Sequence, residues 1–117
     1  MSVNPKLRQA INEYLKDHEL EGYFLDDQAY DDSIIGVEES TGRIIYDYDK
    51  MVEELASEYF FSQNAEEKFQ TYDECRTDAI EWIDYNTMRA LPYFGDKAPI
   101  IIHSVSEITE MYGENND

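Results

Sequence analysis

A single cysteine, Cys75, leaves the chain no internal disulfide to form, which argues against a small stapled secreted scaffold. Apolar runs are short as well. None approaches the ~20 residues a membrane span requires, and Ile100–Ile102 is only a short patch. The first residues also lack the basic-then-apolar pattern of a secretory leader, so a reducing cytoplasm is the expected location. Basic residues are scarce: nine Lys and Arg stand against 27 Asp and Glu, for a formal net charge of −18. Direct DNA or RNA binding is therefore not expected, because few cations are present to release counterions from phosphates. Histidine occurs twice, as His18 and His103, and neither has a Cys or second His at metal-ligand spacing. The chain has no Gly-rich phosphate loop, nucleophile elbow or zinc-protease motif. An enzyme is thus not the expected class, and no cofactor or metal is anticipated.

What is present is enough for one core. Of 117 residues, 42% are hydrophobic, and ten Tyr and five Phe argue against disorder. The excess acid is concentrated in the middle third: residues 26–67 carry thirteen Asp and Glu against Arg43 and Lys50, a local charge of −11. Any electrostatic function should sit there, and its natural complement is a basic protein surface.

The pattern predicts a small single α+β domain over residues 1–112, an antiparallel hairpin or sheet packed on three or four helices, with 113–117 as a frayed acidic tail. Asn4 and Pro5 form a helix start, and Leu7, Ala10, Ile11, Tyr14 and Leu15 recur at helical spacing to about His18. Gly22 marks the end of that helix or the turn beyond it, and Tyr23, Phe24 and Leu25 read as a short strand. The β-branched runs 33–37 and 43–46 flank a turn in which Gly42 suits a left-handed position. Asp47 or Asp49 can cap a helix with the stripe Val52, Leu55, Ala56 and Tyr59. Asn64 with Glu67, and Thr71 with Glu74, match capping boxes. Ala79, Ile80, Trp82, Ile83, Thr87, Ala90 and Leu91 then trace a long helix stopped near Pro92, followed by a strand at Ile100–Ile102 and a short helix capped by Ser104 or Ser106. The expected core is Leu7, Ile11, Ile35, Ile45, Val52, Leu55, Ile80, Ile83 and Ile101.

Asp32-Ser33-Ile34-Ile35-Gly36-Val37, continued by Gly42-Arg43-Ile44-Ile45-Tyr46-Asp47-Tyr48 to Leu55, joins Ala79-Ile80-Glu81-Trp82-Ile83-Asp84-Tyr85-Asn86-Thr87-Met88-Arg89-Ala90-Leu91-Pro92-Tyr93 and Ala98-Pro99-Ile100-Ile101-Ile102 in a pattern that resembles small acidic proteins of phages and mobile elements of Firmicutes. The likeness covers residues 23–102. It implies a context in which such proteins often inhibit host nucleic-acid enzymes, including restriction and CRISPR nucleases, and it carries over no catalytic or binding residue.

The leading expectation is an acidic interaction module of anti-restriction or anti-CRISPR type that occupies the basic groove of a nucleic-acid-handling protein. Asp31, Asp32, Glu53, Glu54 and Glu58 are its candidate partner-binding residues, with Tyr46, Tyr48 and Tyr59 supplying stacking. The rival from another class is a metal-dependent binder or small enzyme using Asp26, Asp27, Asp31 and Asp32 of the 26–32 loop with Asp47 or Asp49, since clustered carboxylates suit hard cations. That loop lacks the central Gly and terminal Glu of an EF-hand, and a solvated acidic loop is the plainer reading. Cys75 sits among acids that disfavour its thiolate. Asn86 is expected to hydrogen-bond across the core and pin the loop from Pro92 to Gly95; the alternative for this helix is a polar partner site using Tyr85, Arg89 and Tyr93.

Overall fold

A computed structural model describes residues 5–63 and 69–113. Helix α1, Pro5–Asp17, turns at Glu19, which takes φ 56 while the Leu20 N–H bonds back to the Leu15 carbonyl at 2.8 Å. Glu19, not Gly22, occupies the left-handed position. Gly22 serves close approach: a Cβ there would collide with the Gly42 carbonyl oxygen. Gly42, at φ 85, in turn leaves room for the Leu20 Cβ. Backbone thus lies against backbone where the first helix's exit meets the hairpin turn.

Residues 23–25 are not a strand, and at Leu25 side chains take both backbone groups. The Leu25 N–H donates to the Tyr46 hydroxyl at 2.9 Å, and the Leu25 carbonyl accepts from Arg8 Nη2 at 3.0 Å. A 3-10 turn, Gln28–Ser33, follows, capped by Asp27, whose Oδ1 accepts from the Ala29 N–H. It feeds strand β1, Ile34–Val37, which pairs antiparallel with β2, Ile44–Asp47, around the Gly42 turn as expected.

The sheet departs from a simple hairpin in two ways. A bulge between Ile34 and Gly36 turns Ile35 outward, leaving it 46% exposed. In addition β3, Ile100–Ile102, joins β2 in parallel, giving a mixed sheet of order β1-β2-β3. Alternation on β2 sends Ile44 and Tyr46 into the core and leaves Ile45 only half-buried on the other side. Ile35 and Ile45 are therefore not the buried residues of the hairpin.

Asp47 ends β2 and caps α2, Tyr48–Phe61, its Oδ1 accepting from the N–H groups of Asp49 and Lys50. The inward face of α2 carries Met51, Val52, Leu55 and Ala56. The Asn64 and Glu67 cap lies outside the described residues, as do the Asn4 cap and the end of the acidic tail. Thr71 and Glu74 form the capping box that opens α3, Tyr72–Trp82. The helical path continues through a π segment, Ile83–Thr87, into α4, Met88–Ala90, and tightens to a 3-10 segment, Leu91–Lys97, at Pro92. The last helix, α5, Val105–Tyr112, is capped by Ser104.

Leu25, Tyr30, Ile44, Tyr46, Met51, Val52, Leu55, Ala56, Ala79 and Ile83 form the core of this α+β domain; Ile11, Ile80 and Ile101 pack at its margin, while Leu7 stays half-buried. No described helix is long and apolar enough to cross a membrane.

Candidate interaction surface

The acidic residues of the middle third separate into two environments. Asp31 faces inward, 1% exposed, and its carboxylate accepts from Arg8 Nη2 at 2.8 Å and Nε at 2.9 Å. This two-point pair, which holds the Arg8 guanidinium firmly protonated and seats it 4.5 Å over the Phe24 ring, ties α1 to the 3-10 turn. Asp31 is therefore not a partner-facing residue: a carboxylate placed in the interior must have a fixed cation, and Arg8 is that cation.

Asp32, Glu53, Glu54 and Glu58 remain on the outer side of the 3-10 turn and α2. They share one field. Partial burial, then Asp32, then Glu53 and Glu58 push the Glu54 carboxyl above its ordinary value. Glu54 and Glu58 also line a shallow recess of about 330 Å³ beside the exposed Phe61.

The acidic field extends past this face. Burial raises the Tyr59 phenol, and the charges of Asp78, Glu58 and Asp27, from α3, α2 and the start of the 3-10 turn, add to the shift. Tyr59 stands on the wall of an open groove of about 640 Å³ between α2 and the α3-to-π junction. Asp78, Glu81, Trp82, Tyr85 and Asn86 complete the working part of that wall, and no Lys or Arg is among its described lining residues. Trp82 is 51% exposed and Tyr85 66% exposed, an unusual outlay of aromatic surface away from a core. Trp82 ends α3 and Tyr85 lies in the π segment that follows it, where the Asn86 amide donates to the Trp82 carbonyl at 3.0 Å. Asn86 thus stays at the surface and does not bridge the core.

No protein-family model, curated protein or solved structure matches the chain.

The remaining expected site residues scatter. Tyr46 is fully buried and offers no stacking surface, while Tyr48 is half-buried, donates to Asp84 Oδ1 at 2.9 Å and packs 4.7 Å from the His103 ring. Tyr85 and Arg89 do meet, the guanidinium lying 5.1 Å from the ring centre, and Tyr93 projects nearby along the chain at 90% exposure. His18 closes the end of α1 on the Tyr14 carbonyl, and His103 pairs with Glu107. Cys75 is buried, and that burial, aided by Asp78 and Glu74, pushes its thiol up and away from reactivity.

The 26–32 loop does not gather its carboxylates. Asp27 caps the 3-10 turn, Asp31 points in to Arg8, and among the described residues no group of three or more His, Cys, Asp or Glu side chains is disposed to hold a metal ion. Sequence reasoning missed the groove itself. Helical spacing puts Trp82 on an inward stripe, whereas the fold exposes it, and only the pairing of α2 with α3 brings Tyr59, Asp78 and Trp82 together.

Proposed function

We propose that this chain is an acidic protein–protein interaction module whose target is the basic surface of a nucleic-acid-handling protein. The single observation that supports it is an open groove whose wall carries Asp78 and Glu81 beside the exposed Trp82 and Tyr85, with no Lys or Arg among its described lining residues, on the same molecule as the acids Asp32, Glu53, Glu54 and Glu58 of the 3-10 turn and α2. Carboxylates spaced along a surface can take the positions of nucleic-acid phosphates, and exposed aromatic rings supply the contact area that charge alone does not. The resemblance to acidic phage and mobile-element proteins gives this reading its context, an inhibitor of anti-restriction or anti-CRISPR type acting inside a bacterial cell.

Affinity capture from a nuclease-treated bacterial lysate tests it. Retained proteins should include a basic nucleic-acid-handling enzyme, released as salt is raised because screening weakens a charge-led contact. A retained set without any such enzyme at low salt overturns the reading. Nothing in the arrangement favours the metal-dependent alternative.

A further inference from the structure

Helices α2 and α3 each carry a second stripe besides the one that faces the core. On α2 it is Glu54, Ser57, Glu58, Phe61 and Ser62, which line the recess of about 330 Å³. On α3 and the π segment it is Asp78, Glu81, Trp82 and Tyr85, which line the groove of about 640 Å³. Both stripes run at the three-and-four spacing of one helix face. The two hollows adjoin at Ser62, which lines both, and Tyr59 on the groove wall feels the charges of Asp78 and Glu58 alike. Each stripe sets carboxylates beside bare aromatic surface: Phe61 is 80% exposed next to Glu54 and Glu58, and Trp82 and Tyr85 lie open next to Asp78 and Glu81.

The outward face of a surface helix is ordinarily polar, so large rings on it mark a surface that something covers. Charge selects what. None of the ion pairs among the described residues uses Glu54, Glu58, Asp78 or Glu81, and neither hollow has a Lys or Arg on its described lining. A second copy would bring another −18 onto these acids and a nucleic acid would bring phosphates, so neither is the complement. Geometry selects its form. At about 1.5 Å per residue the stripes from Glu54 to Ser62 and from Asp78 to Tyr85 are each roughly 10 to 12 Å long, or about two helical turns. The furrow between two packed helices seats a third, whose axis lies about 8 to 10 Å from theirs. A helix laid there meets the rings with apolar residues every three or four positions and the carboxylates with flanking Lys or Arg.

We propose that this double stripe is the seat of a basic amphipathic helix presented by the partner, its apolar face covering Phe61, Trp82 and Tyr85 and its Lys or Arg flanks reaching Glu54 and Glu58 of α2 and Asp78 and Glu81 of α3. The proposal rests on the interaction-module reading and gives the target a shape, a cationic helix with one apolar face. Because Trp82 is the sole tryptophan, its emission reports cover directly.

The probe is an amphipathic Leu-Lys peptide of about 14 residues, roughly four helical turns, titrated against the full chain. Its controls are a shuffled peptide of the same composition, whose Leu residues follow no helical face, and an all-Lys peptide of equal length. The amphipathic peptide should saturate at one per chain, shift Trp82 emission to the blue and gain helical circular dichroism, since a helix of that length is marginal in free solution. The shuffled and all-Lys peptides should bind about tenfold or more weakly. Asp78→Asn with Glu81→Gln should weaken the amphipathic peptide about tenfold, whereas Glu13→Gln with Asp17→Asn on α1, an equal change in net charge, should leave it within about twofold, with folding of both checked by circular dichroism. Binding untouched by the groove pair, or weakened equally by both pairs, overturns the proposal. Sedimentation of the chain alone should give a monomer; a dimer that Trp82→Ala dissociates makes a second copy the occupant and overturns it too. If all three peptides bind alike and salt releases them, the helix seat falls and the acidic-surface reading stands; if none binds at low salt, both fall.

Discussion

Asp31 and Tyr46 take polar atoms into the interior, and each is matched by one partner distant in sequence. Replacing Asp31 by Ala leaves Arg8 held against the core with an uncompensated charge, so urea denaturation should show a loss of about 3 kcal/mol, whereas Arg8→Met with Asp31→Leu should lose much less. Tyr46 makes a pH prediction. Burial pushes its phenol from the ordinary 10 up to about 12, against the opposing bond from Leu25 and the Arg8 charge. The folded state therefore holds this proton more tightly than the unfolded state does. The stabilisation is complete below about pH 10 and is lost as pH rises towards 12, by about 2 kcal/mol. Melting temperatures measured from neutral to strongly alkaline pH should fall steeply in that window. Tyr46→Phe should flatten part of the fall while costing about 1 to 2 kcal/mol at neutral pH, since the buried Leu25 N–H loses its acceptor. Tyr30, Tyr48 and Tyr59 shift in the same direction, so some alkaline loss remains in the variant.

At the scale of elements, the contact between the exit of α1 and the hairpin turn depends on two glycines for close approach. Gly22→Ala drives a Cβ into the Gly42 carbonyl, a backbone atom that no rotamer change can move aside, and should cost about 1 to 3 kcal/mol. Gly36→Ala meets nothing within 4 Å and should stay within about 0.5 kcal/mol of the parent in the same thermal melts. Local chemistry of this kind was readable in the sequence. Asp47, Thr71 with Glu74, and Ser104 each act on amides two or three residues away, and Gly42 supplies the left-handed φ of its own turn, so their roles follow from neighbours along the chain. What was hidden is non-local or degenerate. Ile44, Ile45 and Tyr46 are all apolar, so hydrophobicity alone could not choose the inward face of β2, and the bulge at Ile35 has no signature in an Ile-Ile-Gly run. The Arg8 partner of Asp31 lies 23 residues away, and β3 pairs with β2 from 55 residues further on. Neither association leaves a pattern within one element. The groove was invisible for the same reason, since its walls come from helices that meet only after folding.

For the molecule as a whole, the question is what a net charge of −18 is kept for. The direction of the Glu54 shift supplies a test. Its carboxyl titrates above the ordinary value because burial and then Asp32, Glu53 and Glu58 disfavour its charge. A folded-state value raised in this way gives stability that is present below the ordinary value near 4.5 and declines as pH rises through the raised one. At neutral pH the ionised Glu54 therefore works against the fold, and added salt should raise the melting temperature by screening its neighbours. Reversing Glu54 and Glu58 to Lys exchanges two of the acids in this field for cations and takes the formal charge from −18 to −14. If the carboxylates serve the fold or its solubility alone, relieving their repulsion should leave capture of the basic enzyme unaltered. If they serve binding, the same double variant should be at least as stable as the parent and yet associate about tenfold or more slowly at low salt, with the difference closing as salt approaches about 0.5 M. Thermal melts and association rates measured on one preparation read both quantities. A folded variant that captures the enzyme at the parental rate across that salt range removes Glu54 and Glu58 from the interface.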